Sequence, residues 1–245
     1  MSAFFHAVSR AVLAFSPIAV GVGLVYGLVI AAVVGRGCMR RPWFLAAFLA
    51  GAVAFWVAAL LVDPIQALVA YVFGWEIDAY SINVGIGLIG ALIAAAINEI
   101  FKLAAALMTL ARGGTEVDAA AFGAAAGAGF GAFGAYQVIA LALIARTLPI
   151  GTGSLATPLV QQLGFVAANA ASTALVTYGA THRRLGMYLL VAVLYETLYG
   201  ILAVLFSQQL LTLQTWTLLG IVIGLGLLGY AVVLSLRPAV SRATS

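Results

Sequence analysis

The sequence predicts an all-α polytopic membrane protein with seven transmembrane helices, on three observations. Of 245 residues, 65% are hydrophobic and only 7% are charged, against roughly a quarter charged in soluble domains. Mean hydropathy is +1.18. The apolar residues also fall into blocks of about 20, the length that crosses a hydrocarbon core, and loop-forming or charged residues divide the blocks.

The first span runs from about Ala14 to Val34. It lacks a small-residue cleavage site after a short apolar region and is followed at once by Arg36, so it reads as a retained helix and not as a cleaved signal peptide. The second covers Trp43 to Val62, the third Val84 to Ala111, the fourth Phe122 to Ala145, the fifth Leu163 to Ala180, the sixth Met187 to Phe206 and the seventh Thr217 to Leu236. All belong to one domain, residues 1–245. Assigning alternate loops to alternate sides collects Arg36, Arg40, Arg41, Arg112, Arg183, Arg184, Arg237 and Arg242 together and leaves Arg10 and Arg146 opposite. That asymmetry predicts an N-terminus outside and a C-terminus in the cytoplasm. The absence of an obvious eukaryotic sorting signal favours a prokaryotic plasma membrane.

Two outer connections are long. Asp63 to Asn83 mixes Tyr71, Phe73, Trp75 and Tyr80 with Asp63, Glu76 and Asp78, as an interfacial segment with aromatics at headgroup level would. Arg146 to Gln162, with Pro149, Gly151, Gly153, Ser154 and Pro158, reads as irregular loop. Each is expected to be a connector before it is a cap over a cavity.

Composition excludes several functions. The net charge of +4 comes from basic residues scattered in short loops, so no nucleic-acid footprint is present. The single cysteine, Cys38, and two histidines, His6 and His182, exclude an internal disulfide and a conventional zinc site. No cofactor is implied. The partner the composition does imply is the lipid bilayer.

Within the third span, Glu99 and Lys102 lie three residues apart on one helix face. A charge at the centre of a spanning helix costs about 2.5–3.5 kcal/mol on insertion scales, which makes the pair the first functional candidate. Either the two neutralise one another inside the bundle, or Glu99 activates a water or shares a proton. A second carboxylate, Glu196, sits near the middle of the sixth span. It can share a proton with Glu99 in one cavity, or pair with Lys102 or a tyrosine hydroxyl as structural glue. Asn98, Gln137, Asn169, Ser172 and Thr173 are read first as interhelical hydrogen-bonding groups. The fourth span carries Gly123, Gly127 and Gly131 at four-residue spacing, a smooth face for close helix approach. Packing inside the bundle is the first reading of that face, and docking of another protein the second.

The segment Asn98-Glu99-Ile100-Phe101-Lys102 resembles the Glu-Glu-x-x-Lys/Arg motif of the PrsW and YhfC group of glutamic intramembrane proteases. It is also similar to a segment of the related gamma-secretase scaffold subunit, whose GxxxGxxxG the glycine ladder resembles. Seven spans with the N-terminus outside match the same group. The specific part of the resemblance covers residues 95–137. It implies an intramembrane endopeptidase in which Glu99 activates water and Lys102 tunes or anchors it. The chain departs from the family in several places. Asn98 replaces the first acid, Gly134 stands where another acid is expected, the fifth span has no histidine around Ala168 to Ser172, and Tyr195 and Tyr199 replace a His-x-x-x-Asp. Glu196 is displaced by one residue, about 100° of helix rotation.

Three functions remain open. The first is an endopeptidase with a reduced site, acting on a membrane-embedded peptide with Glu99, Lys102 and Glu196 as candidate catalytic residues. The second is a non-catalytic scaffold that packs against a partner membrane protein. The third, ranked last because no two-fold repeat is visible, is a small proton-coupled transporter using both carboxylates.

Overall fold

A computed structural model describes residues 16–72, 84–147 and 156–243. These residues form seven long helices: α1 (Pro17–Val34), α2 (Pro42–Val72), α3 (Val84–Gly113), α4 (Ala119–Thr147), α5 (Ala156–Thr181), α6 (Leu185–Ser207) and α7 (Leu213–Ala243), with a 3-10 turn at Glu116–Asp118. No strand occurs among the described residues. Among the described residues, six helices, α1–α3 and α5–α7, are long and apolar enough to cross a membrane. This is the architecture of an integral membrane protein. Large apolar side chains such as Leu49, Val53, Leu190, Leu194, Leu218 and Val222 are exposed, whereas Glu99, Lys102, Asn169 and Thr173 are buried. That inversion suits a solvent of lipid, where burying apolar surface brings no net gain and polar groups must find partners inside.

Helix α4 is rich in alanine and glycine, and its position explains them. It lies at the centre, against α1, α2, α3 and α5. The ladder of Gly123, Gly127 and Gly131 faces α5: a Cβ at Gly123 would stand 2.6 Å from the Thr173 carbonyl oxygen, and one at Gly131 2.9 Å from Val166 Cα. Another face of α4 meets α2 through Gly129, which abuts the Phe48 carbonyl, and through Gly51 of α2, which abuts that of Ala126. The ladder is therefore occupied inside the bundle, and the alternative of an outer docking face has no room.

Several expected boundaries shift. Helix α2 does not stop at Val62 but runs through Pro64 to Val72, so the first ten residues of the expected interfacial segment continue the helix. Proline removes one backbone donor, and the apolar residues beyond it keep the helix worth extending; Gln66 Nε2 also donates to the Gly90 carbonyl of α3 at 2.7 Å. Tyr71 is exposed; Phe73, Trp75, Glu76, Asp78 and Tyr80 lie outside the described residues. Helix α5 begins at Ala156 and not at Leu163, so Pro158, Gln161 and Gln162 are helical. Proline is compatible with a helix's opening turn, where its missing N–H has no intrahelical partner. Helix α7 extends past both ends of its expected span.

One end of the bundle is stapled by Asp118. Its Oδ2 accepts from Arg41 Nη1, from Thr115 N at 2.8 Å and from Thr115 Oγ1 at 2.7 Å, and its Oδ1 lies 3.4 Å from Cys38 Sγ. The α1–α2 and α3–α4 connections are thereby tied together. Partial burial pushes the Asp118 carboxyl up, but hydrogen bonds from Thr115, Arg41 and Cys38 outweigh it and hold the group below its ordinary value of 3.8. The staple's contribution is therefore complete above that value and is lost as pH falls through the lower, folded value. Asp118→Ala is expected to cost about 1–3 kcal/mol at neutral pH, since it removes charge-assisted hydrogen bonds to Thr115 and Arg41, and the difference in melting temperature from the native chain should shrink as the pH is taken down through the acid range.

Cys38 is buried, and burial followed by the Asp118 charge pushes its thiol up to about 11. Only the thiolate is nucleophilic. Maleimide should accordingly label native protein slowly at neutral pH and unfolded protein rapidly, with mass spectrometry as the readout.

Candidate functional site

Three helices bring their midpoints to one place. Counting 1.5 Å per residue, Glu99 and Lys102 lie roughly 23 Å and roughly 27 Å along α3 and Glu196 roughly 16 Å along α6. Asn169 stands near the middle of α5. The Lys102 ammonium has three hydrogens and three close acceptors: Glu99 Oε1 at 2.8 Å, Glu196 Oε2 at 2.8 Å and Asn169 Oδ1 at 2.9 Å. Ser172 Oγ lies farther off at 3.5 Å, and the Phe130 ring is centred 5.1 Å away. Glu99 and Lys102 are fully buried, and the Glu196 side chain is 16% exposed.

Supporting contacts fix these groups. Asn169 Nδ2 donates to the Phe165 carbonyl at 2.9 Å, which turns its oxygen toward Lys102. Asn98, on the neighbouring turn of α3, donates through Nδ2 to Glu196 Oε1 at 2.8 Å. Thr173 and Thr177 return their hydroxyls to carbonyls four residues back, at 2.8 Å and 2.7 Å, so they satisfy themselves within α5 and do not join the centre. Glu99 Oε2 is buried with no hydrogen-bond partner.

The centre divides into a sealed part and an open part. A cavity of about 380 Å³ is lined by Asn98, Gln137, Gln161, Gln162, Glu196 and Trp216, among other residues, and neither Glu99 nor Lys102 lines it. Its walls come from the half of α3 before Asn98, the half of α6 after Glu196 and the beginnings of α5 and α7. It therefore lies toward the end of the bundle that carries the α2–α3, α4–α5 and α6–α7 connections. Lys102 lines a void of about 10 Å³ shared with Asn169, Ser172 and Glu196. Glu196 is thus the carboxylate that meets the cavity, and Glu99 stands behind it.

Of the candidates drawn from the sequence, Glu99, Lys102 and Glu196 meet at one point, and the rotation of Glu196 by one residue does not keep it away. Gly123, Gly127 and Gly131 lie apart from it in the α4–α5 seam. The hydroxyls of Tyr195 and Tyr199 make no hydrogen bond to Lys102 or Glu99. Asn169 was read only as a generic hydrogen-bonding group, yet it is Lys102's third acceptor; the signal was its position at the midpoint of α5. Gln161 and Gln162 were missed because they fell in an expected loop. Among the described residues, no group of three or more His, Cys, Asp or Glu side chains could hold a metal ion.

The fold and centre define a helical integral membrane protein with a charged site at mid-bundle. Comparison of the chain with protein-family models, curated proteins and solved structures finds no match.

Proposed function

We propose that the protein is a seven-span membrane protein, N-terminus outside, that binds a small solute in the cavity floored by Glu196 and Asn98, as a carrier does, and does not hydrolyse peptides. The observation that supports this most is the division of the centre. A carboxylate that activates water must reach both water and substrate, but Glu99, the residue the protease resemblance assigns to that task, is bound to Lys102 and is not on the cavity wall. Binding at mid-bundle, reached from one end, needs only Glu196 and the glutamines. The scaffold reading loses its main support, since the glycine ladder is used within the bundle. The arginine-rich ends, two of them joined by Arg41 and Asp118, support the orientation, with the cavity then on the outer half of a plasma membrane that we take to be prokaryotic.

A second reading, the intramembrane endopeptidase with a reduced site, is favoured by one observation: the fifth and sixth helices, from which the resemblance expects site residues, do supply Asn169 and Glu196 to the Glu99–Lys102 pair. A panel of single-span membrane peptides incubated with purified native protein, Glu99→Gln and Glu196→Gln distinguishes the two. We expect no cleavage by any of them. Cleavage by the native chain that Glu99→Gln abolishes, in a variant that still folds, overturns the carrier-type reading in favour of the peptidase.

A further inference from the structure

We infer that the cavity takes a small, neutral, flat ring compound with an N–H beside a carbonyl, the arrangement found in lactams and imides. The inference rests on the solute-binding reading and names the class of solute. Charge is excluded first. Both oxygens of Glu196, the carboxylate on the cavity wall, are already held, Oε1 by Asn98 at 2.8 Å and Oε2 by Lys102 at 2.8 Å, so no bare anion awaits a cation. A negative solute would stand beside two carboxylates that share one ammonium, and like charges repel strongly where water is scarce. Among the described residues, the other polar side chains of the wall are amides, one phenol and one indole, and all of these are neutral.

Two buried groups of the wall lack partners, and they are of opposite kind. Gln162 is only 4% exposed and its Oε1 accepts from nothing, while Trp216 Nε1 is buried and donates to nothing. The two lie at nearly one level. A Cβ on Gly164 of α5 would stand 3.0 Å from the Gly220 carbonyl oxygen of α7, and Gln162 and Trp216 precede these glycines by about 3 Å and about 6 Å toward the same end of the bundle. A solute that only donates, or only accepts, leaves one of the pair unmet at a cost. An N–H next to a C=O meets both. The walls suit a flat ring: Phe55, Phe165 and Tyr199 line the cavity from α2, α5 and α6, the last two with ring centroids 5.7 Å apart, and aromatic faces pack well on a planar solute. The indole of Trp216 is stacked on Phe206 with centroids 4.5 Å apart, which fixes the direction of its N–H. A volume of about 380 Å³ stands at the small end of ligand pockets, which run from about 300 to 1,000 Å³.

The test is equilibrium binding of labelled uracil, an imide ring, to the full chain in phosphatidylcholine nanodiscs, with protein-free discs subtracted. Its comparator, 1,3-dimethyluracil, keeps both carbonyls and has no N–H. Uracil is expected to bind at least about tenfold more tightly than the dimethyl compound. Gln162→Leu replaces an unpartnered amide with an apolar group of similar size; it should melt no lower than the native chain and abolish that preference. Trp216→Phe should weaken both compounds about fivefold or more and leave their ratio unchanged. A preference that survives Gln162→Leu is steric and overturns the place of the N–H, and uracil binding indifferent to Trp216→Phe overturns the place of the carbonyl. Equal binding of the two compounds to the native chain, blocked by the cavity-filling Ala203→Phe, overturns the class while the solute-binding reading stands. If neither compound binds, the class falls, and butylamine and glycerol in the same discs decide the rest: binding of either that Ala203→Phe blocks keeps the solute-binding reading, and binding of neither overturns it as well.

Discussion

Lys102→Ala is expected to unfold the protein or leave it severely destabilised in detergent. The ammonium is the sole cation among the groups at mid-bundle, and it satisfies Glu99, Glu196 and Asn169 together. Removing one partner of a buried ion pair costs about 3–5 kcal/mol, because the charge left behind is uncompensated, and here two carboxylates would be left. The loss should appear as a collapsed melting temperature and as aggregation on size exclusion. The double variant Lys102→Met with Glu99→Gln, which removes opposite charges together, should recover part of it. If Lys102→Ala alone melts like the native chain, the centre contributes nothing to folding and the proposed sealing of Glu99 by Lys102 is wrong.

The second large effect is expected at the α4–α5 seam. In Gly127→Ala the added methyl would overlap the carbonyl oxygen of Asn169, a backbone atom that cannot step aside without moving the residue that holds Lys102. Overpacking of this kind costs about 1–3 kcal/mol or more. Gly21→Ala is the control, since nothing lies within 4 Å of a Cβ there; in a helix interior it should be neutral or add about 0.5–1 kcal/mol. Melting the two variants side by side separates packing from helix propensity. Equal melting temperatures would mean that the seam is looser than the geometry requires.

How much of this was legible in the sequence differs from residue to residue. That the chain is built of long apolar helices followed from block length, because a membrane leaves few choices for an apolar run. Glu99 and Lys102 could be paired on one face from their spacing alone. That Glu196 joins them could not, because spacing within α3 and within α6 says nothing about the rotation of one helix against the other. The glycine ladder announced a close neighbour without naming it, and the answer, α5, depends on which helix fills the centre. The charged Asp63 and Pro64 gave a false stop to α2, since a proline removes one hydrogen bond and the packing against α3 beyond it compensates. The proline and glycines before Gln161 hid the start of α5, and with it two glutamines of the cavity wall.

The most direct measurement is the reaction of the native protein in bilayers with dicyclohexylcarbodiimide, an apolar carboxyl reagent, followed by peptide mapping of the adducts. Because Glu196 lines the cavity and Glu99 is sealed behind Lys102, the adduct is expected on Glu196, with Glu99 unmodified until the protein is unfolded. An adduct on Glu99 in the folded protein, equal to or ahead of that on Glu196, would contradict the division of the centre and return Glu99 to the position of a reacting group.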